Sequence, residues 1–315
     1  MRVVFLGTPE FAVPALEAMI ASPIEIAAVF TQPDRPSGRG RRVTPPPVKA
    51  RAIEAGLAVL QPERIRSTDI APFAPDAVAV VAYGQILSRK FLGVPRLGAF
   101  NLHASLLPRW RGAAPIQRAL LAGDRETGAC VIRLVHELDA GPVLSRLVLP
   151  IGPRDTSEES HDRLAAAGGP LLVETLLRLE RGEAREEPQP EAGVTYAAKL
   201  GKEEAALDWS LPAEELDRRV RGLRPWPVAE TAWPDGGTVR IWRAHPLQAE
   251  GRVPARPGEV LGPAVTPEGR GLRVRTGAGD LAILELQPPG GKRMEAEAFL
   301  RGHPLPAGAR LGAGK

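Results

Sequence analysis

One cysteine in 315 residues, Cys130, excludes a disulfide within the chain and leaves no thiolate set for a structural zinc site. It stands in the apolar segment from Ala129 to Leu134, and a reducing, cytoplasmic compartment is expected. No run of 18 apolar residues occurs, and Met1-Arg2-Val3-Val4-Phe5-Leu6 passes straight into Gly7 without the hydrophobic core of a signal peptide. Neither a membrane span nor export is expected. Nucleotide motifs are missing too. Gly7-Thr8-Pro9-Glu10 offers one glycine where a dinucleotide site needs three, and there is no phosphate-binding G-x-x-x-x-G-K-[ST] run. His136-Glu137 lacks the second histidine of a zinc-protease helix, residue 140 being Ala, and His161, His245 and His303 lie far apart in sequence, so no metal is expected. Lysine is scarce as well, six against 35 arginines, from which no function follows.

What is present suits a folded core: 43% hydrophobic and 25% charged residues. The length is about twice that of a typical domain, which predicts two of them. Apolar runs at 2–6, 24–30, 57–60, 77–82 and 98–103 alternate with helical patterns at 9–21, 48–55 and 114–122, and further strands are expected at 129–138 and 143–149. Ala77-Val-Ala-Val-Val-Ala82 has no polar face, as in a parallel sheet covered on both sides. The alternation predicts an α/β, Rossmann-like doubly wound sheet over residues 1–180. A helix from Thr156 to about Arg181 is expected to be interrupted at Gly168-Gly169-Pro170. Residues 181–205, with six acidic and four basic side chains and Pro188, Pro190 and Gly193, read as a linker. From 206 to 315 a helix at 211–223 precedes short strands separated by Gly/Pro turns, for which an OB-like β-barrel is a good candidate.

Two local features carry chemistry. Asn101 and His103 stand two residues apart on an expected strand, so their side chains share one face and converge on one point, with Leu102 turned to the core. The second feature is the segment from Arg35 to Arg51, which holds six cations (Arg35, Arg39, Arg41, Arg42, Lys49 and Arg51) and no anion, broken by glycine and proline. Such a loop seeks phosphate, and its arginines can pair with phosphates or stack on unpaired bases. Arg218, Arg219, Arg221 and Arg224 form a second basic group at the start of the C-terminal region.

The separated motifs Phe5-Leu6-Gly7-Thr8-Pro9-Glu10-Phe11, Thr31-Gln32-Pro33-Asp34-Arg35-Pro36, Val81-Ala82-Tyr83-Gly84, Asn101 to Ile116, Leu138-Asp139-Ala140-Gly141, Asp208-Trp209-Ser210 and Pro225-Trp226-Pro227 resemble those of the methionyl-tRNA formyltransferase family, within the enzymes that use 10-formyltetrahydrofolate. The resemblance covers nearly the whole chain. It implies a formyltransferase fold and formyl transfer from 10-formyltetrahydrofolate to the methionine amine of initiator Met-tRNA. It implies that Asn101, His103 and Asp139 are catalytic, and that Tyr83, Gly84, Gln85, Ile86, Ser105, Leu106, Leu107 and Pro108 line the folate pocket. It also implies that the loop around Arg39 enters the tRNA acceptor end; from their place in the two basic groups, Arg35, Arg41, Arg42, Lys49, Arg218 and Arg221 are expected as further RNA contacts. Asp139 is expected at the end of its strand, where it would orient His103. A monomer is expected, and a formyltransferase acting on a small-molecule amine is the alternative.

Overall fold

Strands that lack a polar face have to be covered on both sides, and those of the N-terminal region lie in the middle of one sheet. The structure, a computed structural model, describes residues 1–37, 42–248, 255–306 and 308–312. By its contacts the chain divides into one unit of Met1–Ile116, Glu126–Pro150 and Ser160–Ala197, and a second of Gln117–Arg125, Ile151–Glu159 and Ala198–Lys315.

In chain order the first elements are β1 (Arg2–Gly7), α1 (Val13–Ile20), β2 (Glu25–Phe30), β3 (Arg35–Ser37), β4 (Arg42–Thr44), α2 (Pro47–Glu54), β5 (Val59–Leu60), α3 (Ser67–Ile70), β6 (Ala77–Val81), α4 (Arg89–Leu92) and β7 (Gly98–His103). They are followed by β8 (Arg111–Gly112), α5 (Pro115–Ala122), β9 (Glu126–Arg133), β10 (Val143–Pro150), α6 (Ser157–Glu180) and β11 (Tyr196–Ala197). A seven-stranded sheet runs in the order β10-β9-β7-β6-β1-β2-β5. The ladders from β7 to β5 are parallel, whereas β9 runs antiparallel to both β7 and β10. Every residue of β6 is buried. Small and β-branched side chains let helices cover both of its faces.

Two expectations change here. The Pro/Gly/Arg segment after Thr31 contains a short antiparallel hairpin, with Arg35 opposite Thr44 and Pro36 opposite Val43. The long helix α6 runs its 24 residues without a break, Pro170 included. Its glycine pair serves packing: a Cβ on Gly168 would come within 2.7 Å of Leu102, and one on Gly169 within 2.8 Å of the Pro14 carbonyl of α1. Close approach explains these glycines better than an interruption of the helix does.

The second unit continues with α7 (Ala213–Gly222), β12 (Glu230–Ala232), β13 (Thr238–Leu247), β14 (Val260–Thr266), β15 (Gly269–Arg275), β16 (Asp280–Gln287), β17 (Met294–Glu295) and α8 (Ala296–Gly302). Its sheet runs β12-β13-β16-β15-β14, with β17 added to β16, and every ladder is antiparallel. Register shifts in β13 and β14 mark bulges, which tighten the coil of a small sheet. Asp280, fully buried at the start of β16, lies 2.7 Å from both Arg273 and Arg275. A buried carboxylate needs such pairing. Among the described residues no helix is long and apolar enough to cross a membrane.

Candidate active site

Strand alternation places the first two site residues. On β7, Leu102 turns toward Gly168 of α6, so Asn101 and His103 face the other side. Asn101 is half-buried, and His103 is buried beside the segment that follows it. His103 Nε2 lies 2.9 Å from the Trp110 carbonyl. A carbonyl can only accept, so Nε2 carries the proton and donates. That carbonyl is aimed by an unusual backbone, Trp110 having φ +66°, and the turn is braced by Ser105, whose hydroxyl donates to the Arg109 carbonyl at 2.7 Å. His103 therefore presents Nδ1, an acceptor when neutral, to the cleft.

Asp139 Oδ2 stands 3.6 Å from that Nδ1. The route by which it arrives differs from the expected strand end. β9 is antiparallel to β7 and finishes with Arg133 opposite Phe100, away from His103, which pairs with Cys130. Residues 134–142 form a loop that carries Asp139 back to the histidine. Asp139 has φ +47° there, and its Oδ2 accepts from the Gly112 N–H at 2.9 Å. Gly112 has φ +117°, and a Cβ on it would come within 2.8 Å of the Ala197 carbonyl. Only glycine brings that N–H to the carboxylate.

The residues expected around the folate divide into two groups. Tyr83 is buried in the cluster of Val4, Leu6, Phe30 and Phe91, with its hydroxyl unpartnered, and burial pushes its phenol above the ordinary value. Its carbonyl accepts from Thr8 Oγ1 at 3.0 Å and from Gln32 Nε2 at 3.2 Å. Gln85 bridges Ile65 N and the Pro62 carbonyl, and Leu107 packs with Cys130, Ile132 and Val143. Gly84, at φ +83°, lets the chain turn after β6. Leu106 lies against Gly128, and Pro108 follows a cis peptide. Ile86 is 92% exposed, an apolar side chain left uncovered just past the carboxyl end of β6. In an open α/β sheet that end is where ligands bind.

The cations divide similarly. Arg35 is exposed, with one contact to Gln32 Oε1 at 3.2 Å. Lys49 is bound to Asp34 at 2.6 Å, and Gln61 and Lys49 together hold the Asp34 carboxyl below its usual range. Arg39 and Arg41 lie outside the described residues, as does the side chain of Arg42. In the second unit Arg221 is 11% exposed and committed to Asp217 at 2.8 Å and to the Asp155 carbonyl at 2.7 Å. Arg219 and Arg224 face Glu215 and Glu158. Among the described residues, Arg218 is the one of the four without a carboxylate partner. The sequence reading missed the Trp110 carbonyl, the Gly112 N–H and the side chain of Gln189, which donates to the Asp139 carbonyl at 2.7 Å. Backbone groups have no signature in a sequence.

Residues 1–176 match the family described as formyl transferase, and residues 199–304 match its C-terminal domain. The methionyl-tRNA formyltransferase of Methylococcus capsulatus is 52% identical over 316 residues, covering 99% of this chain and 100% of its own. That of Halorhodospira halophila is 50% identical over 98% of both. Among solved structures, the sugar 3N-formyl transferase WlaRD, in the presence of dTDP and 5-N-formyl-THF, aligns at TM-score 0.64 with 13% identity, covering 90% of this chain and 96% of that one. HypX from Aquifex aeolicus, in complex with tetrahydrofolic acid, aligns at 0.60 with 17% identity, covering 95% of this chain and 47% of its own. Those two likenesses speak to the fold. Two family matches and relatives near 50% identity over the full length place this chain in the methionyl-tRNA formyltransferase family.

Proposed function

We propose that this enzyme transfers the formyl group of 10-formyltetrahydrofolate to the α-amine of methionine on initiator Met-tRNA, with Asn101, His103 and Asp139 as the catalytic residues. The transfer needs an unprotonated amine, a stabilised tetrahedral oxyanion and a route for one proton. His103 Nδ1 and Asp139 Oδ2, 3.6 Å apart, are two acceptors toward which an amine can direct its N–H bonds. Asp139 takes the proton released as the amine bonds to the formyl carbon and returns it to N10 as the C–N10 bond of the folate breaks, a form of general acid–base help worth about 10² to 10⁴ in rate. Asn101, whose carboxamide has no partner among the described residues, donates to the oxyanion. Loss of one such donor costs about 10² to 10³.

The folate supplies the formyl group at the carboxyl ends of β6 and β7. Ile86 offers an uncovered apolar surface to a flat ring, while Ser105, Leu106, Leu107 and Pro108 shape the wall. Gly84 and Gln85 fix the turn there, and Tyr83 contributes through its carbonyl. Residues 1–180 carry the catalytic and folate groups, residues 181–197 run back along that same unit, and residues 206–315, reached through 198–205, hold the RNA. Arg35, Arg39, Arg41 and Arg42 meet phosphates of the acceptor end and Arg218 those further along, while Lys49 and Arg221 support these surfaces from within. The enzyme acts as a cytoplasmic monomer.

Full-length identity near 50% to relatives named for Met-tRNA carries this reading over the small-amine alternative. The test incubates the protein with 10-formyltetrahydrofolate and charged initiator tRNA and looks for N-formylmethionine released from the tRNA. Its absence would refute the assignment.

A further inference from the structure

After α6 the chain does not leave the first unit but runs back along the site. Glu187 exchanges two backbone hydrogen bonds with Val143, at 2.8 and 2.9 Å, and β11 pairs with β8. Residue 189 lies between these two attachments, half-buried among exposed neighbours. Its carboxamide is fully used. Nε2 donates to the Asp139 carbonyl and to the Gly141 carbonyl, both at 2.7 Å. Oε1 accepts from Arg111 Nε at 3.1 Å and Nη2 at 2.8 Å. A guanidinium can only donate, so Arg111 holds the oxygen on its side and turns both N–H bonds of Gln189 onto the turn.

That turn needs holding. Asp139 has a left-handed φ of +47°, which a non-glycine residue keeps only when its surroundings impose it. On the other side Gly141 is pressed so close to the Arg133 carbonyl that any Cβ there would clash with it. We propose that Gln189 is a positioning residue for formyl transfer: its carboxamide, oriented by Arg111, clamps residues 139–141 and fixes the aim of the Asp139 carboxylate at His103. It touches neither substrate in this role. The proposal rests on the catalytic reading of Asp139.

The experiment compares single-turnover and steady-state formylation of Met-tRNA by wild-type protein, Gln189→Ala, Gln189→Glu, Asp139→Asn and the Gln189→Ala/Asp139→Asn double variant. Glutamate keeps the shape and an oxygen for Arg111, but sets a second oxygen against two carbonyls. If donation is what matters, both Gln189 variants lose kcat by about 10²-fold, the cost of a misplaced reacting group, while KM for both substrates stays within about twofold. Gln189→Ala then adds nothing to Asp139→Asn, because its whole effect passes through the carboxylate. Wild-type rates in Gln189→Glu, equal losses on both backgrounds, or a loss confined to KM would each overturn the proposal. An inactive wild-type protein would instead refute the functional reading itself.

Discussion

Asp139 Oδ2 faces His103 Nδ1 across 3.6 Å, a gap too wide for a hydrogen bond and too narrow to leave the two groups independent. Each is anchored on its other side, His103 through Nε2 to the Trp110 carbonyl and Asp139 through the Gly112 N–H. Both anchors are backbone groups in left-handed or glycine-only conformations. The pair is thus held apart at a spacing that suits the proposed amine, whose N–H bonds can reach both groups.

Asp139→Asn tests this directly. The amide oxygen still accepts from Gly112, so the fold is kept and the melting temperature shifts little. The proposed base is lost, and kcat is expected to fall by about 10² to 10⁴. Rapid-quench formylation assays with a thermal melt of the same sample check both halves.

Tyr83→Phe is expected to leave folate affinity unchanged and to raise stability. The hydroxyl it removes is buried without a partner, a cost of about 1–3 kcal/mol. Burial also keeps the folded phenol protonated above its ordinary value of 10.0. Below that value neither state ionises and the contribution is intact. As the pH rises past it, the unfolded chain loses a proton that the folded chain retains, so stability falls by about 1.4 kcal/mol per unit until the folded value is reached. Denaturant titrations of both proteins near neutrality and at about pH 11 should show the steeper loss in the wild type only.

Arg218→Ala and Arg221→Ala should separate RNA binding from stability. Arg221 neutralises buried Asp217, which then retains Arg154 at 3.0 Å as its remaining ion-pair partner. Its removal is expected to destabilise by about 2–4 kcal/mol, with tRNA affinity kept in the folded protein. Arg218→Ala is expected to leave the melting temperature alone and weaken tRNA binding, lowering the salt slope by about one. Filter binding over a salt series and calorimetry distinguish the two.

Side-chain alternation made Asn101 and His103 legible from sequence, because a strand's period of two survives whatever packs around it. The faceless run of β6 gave the parallel sheet for the same reason. Asp139 was legible through its motif, but its path was not: nothing in the sequence announces that β9 runs antiparallel and that a loop must bring the carboxylate back. Gly168-Gly169-Pro170 reads as a helix interruption because local propensity favours one, and packing against Leu102 and α1 prevailed. Tyr83 belongs to a motif near the site, yet only the fold reveals that its ring points into the core. Gln189 sat in a stretch whose charge and prolines suggested a linker, and its role depends on contacts with Arg111 and Asp139 that lie far off in sequence.

In the proposed reaction one cleft on this chain moves a formyl group onto the amine of Met-tRNA, with Asn101 steadying the oxyanion. The most direct measurement is the single-turnover rate of N-formylmethionyl-tRNA formation by the wild-type protein and by Asn101→Ala, with tRNA affinity measured alongside. Product is expected from the wild type, and a rate about 10² to 10³ lower from the variant at unchanged affinity. Equal rates in the two proteins would contradict it.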